Sequence, residues 1–394
     1  MKSSARAVLK RLYLGIPFKK QTFSLVRKVW TPPWPIMQKL VFEGSFEVPI
    51  PDGRTVVLNH TFSQIETEMF WEGIVNGWEK TSLTLWLKLA RRAKTIVDVG
   101  ANTGIYALAA EAVNPDATIL AFEPMPRIHQ KLINNCALNG SRIICERAAL
   151  SNYDGDATMY DLPNSNHTYG GTVNKNLWAT GLGASPITVI ARRLETILTE
   201  QHLQRLDLLK IDVESHEPAV IEGLGKKLLE FRPSMIVEIW NDEIGQKVEA
   251  IVARCGYRYY ATDDQGPFER QSSIRQRANG RPFTNFLLCA EDVARDLNLP
   301  CCSRTKMNCV VDAGFGTGLL QGSRGLHRPT HPQPDDIPVH QAHRNRPPNT
   351  WTGCVMALAG STKRILWIWT WPSGTATPRR NSTMEPRAQS ATTF

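Results

Sequence analysis

The stretch "KTIVDVGANTGIYALAAEA", Lys94 to Ala112, reads as a buried strand, a glycine-broken turn and a helix. "TIVDV" is apolar enough to be covered on both faces, as strands of a parallel sheet are. Gly100 and Gly104 flank Ala101, Asn102 and Thr103, so the backbone can turn sharply and come close to a ligand. The helix that follows would aim its free N–H groups at the same place. A nucleoside-binding turn of this kind also needs an acid at the tip of the next strand, to hydrogen-bond ribose hydroxyls. That strand, "TILAF" (118–122), ends at Glu123, 19 residues past Gly104. A tight strand-to-helix turn holding no ligand is the plain alternative, and it leaves Glu123 without a reason.

A second stretch, "CVVDAGFGTGLLQGSRG" from Cys309 to Gly325, imitates the first. Its continuation, "LLQGSRGLHRPTHPQP", cannot carry a helix, and no apolar strand follows to present an acid. Asp312 to Gly318 is therefore read as coincidence.

Outward from the first loop, apolar runs alternate with amphipathic ones. Strands are expected at 95–99, 118–122, 142–146, 206–211, 234–239, 257–262 and 285–290, and helices at 103–113, 126–138, 193–201, 216–230 and 242–255. Such alternation means βαβ units and a mainly parallel sheet with helices on both faces. No helical pattern separates the last two strands, so they are expected to form an antiparallel terminal hairpin. Ahead of the loop, "SFEVPIPDGRTVVLNH" suggests two short strands around a Pro-Asp-Gly turn, and helices are expected between Glu66 and Leu89. The organisation expected is an N-terminal arm and linker (1–40), a catalytic domain (41–295, with a cofactor-binding core at 94–290) and a Pro-rich, poorly ordered tail (296–394).

Of 394 residues, 42% are hydrophobic, and the net charge of +9 is unevenly placed. Residues 1–30 hold eight Lys/Arg and no acid, whereas residues 31–300 hold 27 Lys/Arg against 33 Asp/Glu. An acidic middle excludes a basic nucleic-acid groove there. The basic, apolar first thirty residues suit an arm on an anionic membrane surface, or a helix packed on the domain with a solvated basic side. The eight cysteines show no disulfide or metal spacing, which suits a reducing cytoplasm, with the arm at the inner membrane surface. No apolar run reaches the ~18 residues of a membrane span. Asp207 and Asp212 share a strand without a third ligand at a telling interval, so no metal is expected.

The loop also bears on the cofactor. "DVGANTG" keeps only two glycines of the dinucleotide pattern and places Asp98 just before the turn. A carboxylate there would repel pyrophosphate but suits an ammonium or sulfonium, which favours S-adenosylmethionine over NAD. With "VDVGANTG", "AFEPMPRIHQKLINN", "ALSNYDG", "LLKIDVESHE" and "MIVEIW" in that order, residues 40–290 resemble the FkbM-type S-adenosylmethionine-dependent methyltransferases. The resemblance implies the class I Rossmann-like α/β fold, a seven-stranded sheet ending in an antiparallel hairpin, and O-methylation of sugars or secondary-metabolite hydroxyls. Ser215 departs from the pattern, where the family usually has glycine.

Asp98, Gly100, Ala101, Asn102, Thr103 and Gly104 are thus expected around the methionine end of the cofactor, and Glu123 on its ribose. For Asp98 the alternative is a cap bonding the turn's own N–H groups. Ala148, Ala149 and Ser151 are candidates for the adenine side. Asp212, at the carboxyl end of its strand, is expected to contact the cofactor or take a proton from an acceptor hydroxyl; His216 is a candidate base. Glu238 ends the next strand and either binds acceptor hydroxyls or points into water. Glu214 and Glu217 could instead cap the following helix, the reading preferred for Glu217. The carboxylate rim suits a hydroxyl-bearing small molecule or glycan. The competing readings are an NAD-dependent dehydrogenase or epimerase on a similar sheet, and a non-catalytic membrane-surface module.

Overall fold

The computed structural model describes residues 17–52, 54–161, 185–263, 268–277, 283 and 285–300. The second glycine loop, the tryptophan-rich run at 364–372, the first sixteen residues and nearly all of the tail lie outside the described residues.

The strands are β1 Ser45–Pro49, β2 Thr55–Asn59, β3 Thr95–Val99, β4 Thr118–Phe122, β5 Ile144–Glu146, β6 Ala149–Leu150, β7 Gly155–Asp161, β8 Ser185–Arg192, β9 Leu208–Ile211, β10 Ser234–Glu238, β11 Arg258–Thr262, β12 Glu269–Gln271 and β13 Asn285–Cys289. One eight-stranded sheet runs β12-β11-β13-β10-β9-β3-β4-β5. β3 pairs in parallel with both β4 and β9, and β9 with β10. β13 inserts antiparallel between β10 and β11, so the expected terminal hairpin is present with its second strand innermost. All seven expected strands are there. The eighth, β12, is a three-residue edge strand in the connection between the last two expected strands.

The alternation of side chains sorts two apolar layers, one on each face. Ile96, Leu208, Ile236 and Leu287 meet the helices Lys80–Ala90 and Ile105–Val113, whereas Val97, Leu209, Val237 and Phe286 meet Leu194–Glu200, Glu217–Glu222 and Asp242–Val252. This is the period-two rule of a pleated strand applied to a sheet covered twice. The helix expected over 216–230 is broken: Glu217–Glu222 stops and Lys227–Phe231 begins anew after Gly225, which takes φ +53. A small sheet, β6-β8-β7, is not legible in the sequence, because β6 has two residues and β7 and β8 alternate too weakly to stand out. β1 and β2 form the hairpin expected around the Pro-Asp-Gly turn.

Candidate active site

The carboxyl ends of β3, β4, β9 and β10 open onto one cavity of about 1250 Å³, lined among others by Asp98, Gly100, Asn102, Glu123, Asp212, Glu214, His216 and Glu238. Open α/β sheets bind ligands at this edge, where successive crossovers leave the sheet in opposite directions.

The glycine loop is fixed by its own backbone. Gly100 and Ala101 both donate to the Phe122 carbonyl at the end of β4 (3.0 and 2.9 Å). Gly100 sits at φ +77, and a Cβ there would stand 1.9 Å from the Asp212 carbonyl oxygen. Glycine is thus required because the loop after β9 passes directly behind the turn. Gly104, at φ +90, precedes the helix Ile105–Val113, and a Cβ on it would meet the Leu132 side chain at 2.6 Å. Thr103 is pinned too: its hydroxyl donates to buried Glu66 (3.0 Å) and its carbonyl accepts from Asn135 (2.8 Å).

Asp98 and Glu123 are both buried. Asp98 Oδ2 accepts the Ala107 N–H at 3.0 Å, a bond to the helix's first turn rather than to the glycine turn, and the residue also lines the cavity. Glu123 accepts from Met125 N–H (2.9 Å) with one oxygen and from Asn102 N–H (3.1 Å) with the other. It therefore ties the tip of β4 to the glycine loop. Burial pushes each of these acids up to about 7; the Lys210 charge pulls Asp98 back, and the Met125 and Asn102 N–H groups do the same for Glu123.

Beyond the loop lies a buried polar group that sequence reading did not assemble. Lys210, on β9, projects to the same face as Asp98, its register partner on β3. Its Nζ donates to Asp212 Oδ2 (3.2 Å) and Asn285 Oδ1 (3.0 Å), and lies 5.1 Å from the centre of the Tyr106 ring. The Tyr106 hydroxyl donates to Glu79 Oε2 at 2.5 Å. Glu79, Asp212 and Glu238 each bring a carboxylate oxygen within 4.8 Å of the others. Spacing along the chain gave no third acid near Asp212; the fold supplies two. Three carboxylates so close could share a cation, and the Lys210 ammonium already stands among them. Burial works against its charge, yet Asp212, Glu79 and Glu238 hold its pKa above the ordinary lysine value. Burial raises Glu79, with Lys210 opposing, and it raises Glu238 well above the usual carboxylate range, with the Asp212 charge adding to the effect.

The remaining candidates divide. His216 Nε2 is 3.0 Å from the Ser151 hydroxyl, and burial lowers its pKa, so a neutral imidazole faces the cavity. Glu217 is fully buried and accepts from Ser215 N–H (3.0 Å) and Val213 N–H (3.3 Å); it closes the loop after β9 and does not cap the helix it begins, the role expected of it. Glu214, at φ +54, is pushed up to about 7 by burial and by Asp212. Ser215 has φ +77, a left-handed value that suits glycine, which accounts for the family's usual residue there. Ala148 and Ala149 line the cavity. So do Trp34, Trp78 and Trp240, none of which local pattern had singled out; Trp240 Nε1 donates to Glu238 Oε2 at 2.8 Å. A lysine inside the apolar run "LLKI" was a legible signal that something anionic must face it. Glu79 and Asn285 gave none, because the lysine they face lies 131 and 75 residues away in the chain.

Comparison with known proteins agrees with this geometry. The model of the methyltransferase FkbM domain matches residues 98–259, from the Asp98 turn to the middle of β11. Methyltransferase sdnD of Sordaria araneosa is 32% identical over 41% of this chain and 73% of its own length. The 2-O-methyltransferase NoeI of Sinorhizobium fredii (strain NBRC 101917 / NGR234) is 33% identical over 34% of this chain and 58% of its own. The 31-O-demethyl-FK506 methyltransferase FkbM of Streptomyces tacrolimicus is 25% identical over 48% of this chain and 82% of its own. The dehydrogenase and non-catalytic alternatives gain nothing from these matches. Glycine loop, buried acid at the tip of β4, reversed last strand β13 and a relative matched over most of its length converge: this chain belongs to the FkbM methyltransferase family.

Proposed function

We propose that this methyltransferase uses S-adenosylmethionine to methylate a hydroxyl of a sugar or similarly polyhydroxylated acceptor, with Asp212 as the proton acceptor. The observation that carries the reading is the Lys210-centred group of Glu79, Asp212 and Glu238 on the wall of the cavity that the glycine loop also lines.

The donor set fits that cofactor. Acids stand on two sides of the loop, at Asp98 before it and at Glu123 on the tip of β4, and among the described lining residues Lys210 and Lys247 are the only Lys or Arg. That suits a phosphate-free, cationic ligand better than a pyrophosphate. Glu123 would hold the ribose hydroxyls with lone pairs that its two backbone bonds leave over, and Asp98 would face the methionine ammonium. When bound, the cofactor supplies a methyl group already activated by its sulfonium.

The protein's own task is positioning and proton transfer. As the acceptor oxygen takes the methyl group, its proton passes to the Asp212 carboxylate, which Lys210 pairs and orients. Glu238, raised well above the usual carboxylate range by burial and held by the Trp240 indole, stands where it can hydrogen-bond a second acceptor hydroxyl. Trp240 is 58% exposed beside it and offers an apolar face for the ring of a sugar. NoeI and FkbM carry O-methylation in their names, which supports the same direction here. A lipid-borne glycan would fit as well, because the segment that follows the basic N-terminal stretch borders the cavity through Trp34 and Gln38.

Titration calorimetry of the full chain with S-adenosylhomocysteine tests the first half: saturable binding is expected, and no heat with this ligand would overturn the reading. Transfer of labelled methyl to a panel of glycosides tests the second. Asp212→Asn should retain cofactor binding and lose turnover by about a hundredfold or more, the usual weight of a general base.

A further inference from the structure

The helix Lys19–Val26 and the turns that carry it on to Trp30 have apolar side chains on two sides. On the inner side Phe23 and Val26 pack on the core, and Arg27 donates to the Phe70 carbonyl (2.8 Å) with its guanidinium 4.6 Å from the Phe70 ring centre. That satisfies the expectation of a helix packed on the domain. The outer side is not polar, as such a helix would require. Leu25 is 65% exposed, Val29 87% and Phe18 72%, and Trp30 and Ile36 add to them. Leu25 and Val29 are four apart, as neighbours on one helical face are.

What could cover this face is decided by charge. Residues 17–42 contain Lys19, Lys20, Arg27, Lys28 and Lys39 and no Asp or Glu, and Lys28 and Lys39 are exposed. A second copy would bring the same five bases against these, and the nearest acids, Glu43 and Glu47, already face Lys19 and Arg27 of their own chain. A nucleic acid would meet the bases and leave Leu25 and Val29 unrewarded. The matching surface is anionic and apolar at once, with an interfacial layer that accepts tryptophan: a bilayer containing acidic phospholipid. We propose that the face formed by Phe18, Leu25, Val29, Trp30 and Ile36, flanked by Lys28 and Lys39, docks the enzyme on an anionic lipid membrane. Trp34 and Gln38, in the same stretch, line the cavity, so the docked surface lies beside the catalytic site. On the methyltransferase reading above, such docking would bring the site to an acceptor carried on lipid. No described helix is long and apolar enough to cross a membrane, so the contact is peripheral.

Co-sedimentation of the full chain with vesicles tests the proposal. Wild type should pellet with vesicles of phosphatidylcholine and phosphatidylglycerol in equal parts, weaken as salt is raised, and stay in solution with phosphatidylcholine alone. Leu25→Ser with Val29→Ser should cut binding by about tenfold or more, as lost apolar insertion requires. Lys28→Glu with Lys39→Glu should do the same through charge. An unchanged thermal melt shows that each pair still folds. Failure of wild type to pellet with the mixed vesicles overturns the proposal, as does wild-type binding by the Leu25/Val29 pair. Light scattering that finds a dimer in solution, turned to monomer by the same pair, would overturn it in favour of a second copy. S-adenosylhomocysteine binding is measured separately, so failure of the membrane proposal and failure of the methyltransferase reading are told apart.

Discussion

Replacing Lys210 by Met keeps an unbranched apolar stem, one atom shorter, but removes the cation from between three carboxylates and from over the Tyr106 ring. At an effective dielectric of ~20, unit charges at the 3.2 Å of the Lys210–Asp212 pair attract by about 5 kcal/mol. The Lys210 side chain is 1% exposed and that of Asp212 25%, and the variant is spared the desolvation of a lysine, so the net loss falls below that figure. About 3 kcal/mol is expected near pH 8, the low end of what breaking a buried pair costs. The loss should depend on pH in a defined direction. Burial already raises the folded-state pKa values of Glu79 and Glu238, and Lys210 opposes both shifts. Without the lysine they rise further. An acid with a raised folded pKa contributes stability below its unfolded value and loses it as pH climbs through the folded one. The deficit of the variant should therefore shrink to about 1 kcal/mol near pH 5, where those carboxyls take up protons. Urea denaturation followed by tryptophan fluorescence at both pH values measures it. Adding Glu238→Gln should recover about half of the loss near pH 8, the coupling expected of residues in one network. Wild-type stability near pH 8, or an equal deficit at both pH values, would refute the reasoning.

Three further outcomes are expected. Glu123→Ala should weaken S-adenosylhomocysteine binding by about 1–3 kcal/mol in calorimetry, because the Asn102 and Met125 N–H groups lose their acceptor and, on the proposed reading, the ribose does too. Gly100→Ala should lower the melting temperature sharply or prevent folding, since the new methyl would stand 1.9 Å from the Asp212 carbonyl; a variant melting like wild type would show that the loop after β9 can move aside. Ser215→Gly should raise stability by about 0.5–1 kcal/mol, the left-handed strain relieved less the entropy glycine loses on folding, and a lowered urea midpoint would contradict the φ of +77 found there.

The chain order of motifs sufficed for the sheet because each strand and helix is a local pattern: "TIVDV", "TILAF" and "SMIVEI" bury both faces wherever they fall, and parallel pairing with right-handed crossovers leaves little choice of topology. Glycine at 100 and 104 and the acid at 123 were legible for the same reason, being fixed offsets within one βαβ unit. The reason for Gly100 was not, because the atom it avoids belongs to Asp212, more than a hundred residues on.

Sequence by itself determined the fold class, the glycine loop and the acids on two sides of it, because strand period, turn chemistry and helix start act over a few residues. Tertiary structure alone decided which charges share the cavity. Glu79 from an approach helix, Lys210 from β9, Glu238 from β10 and Asn285 from the reversed β13 meet only after the strands are laid side by side. Their energies come from burial and proximity, and neither is a property of a residue's neighbours in the chain.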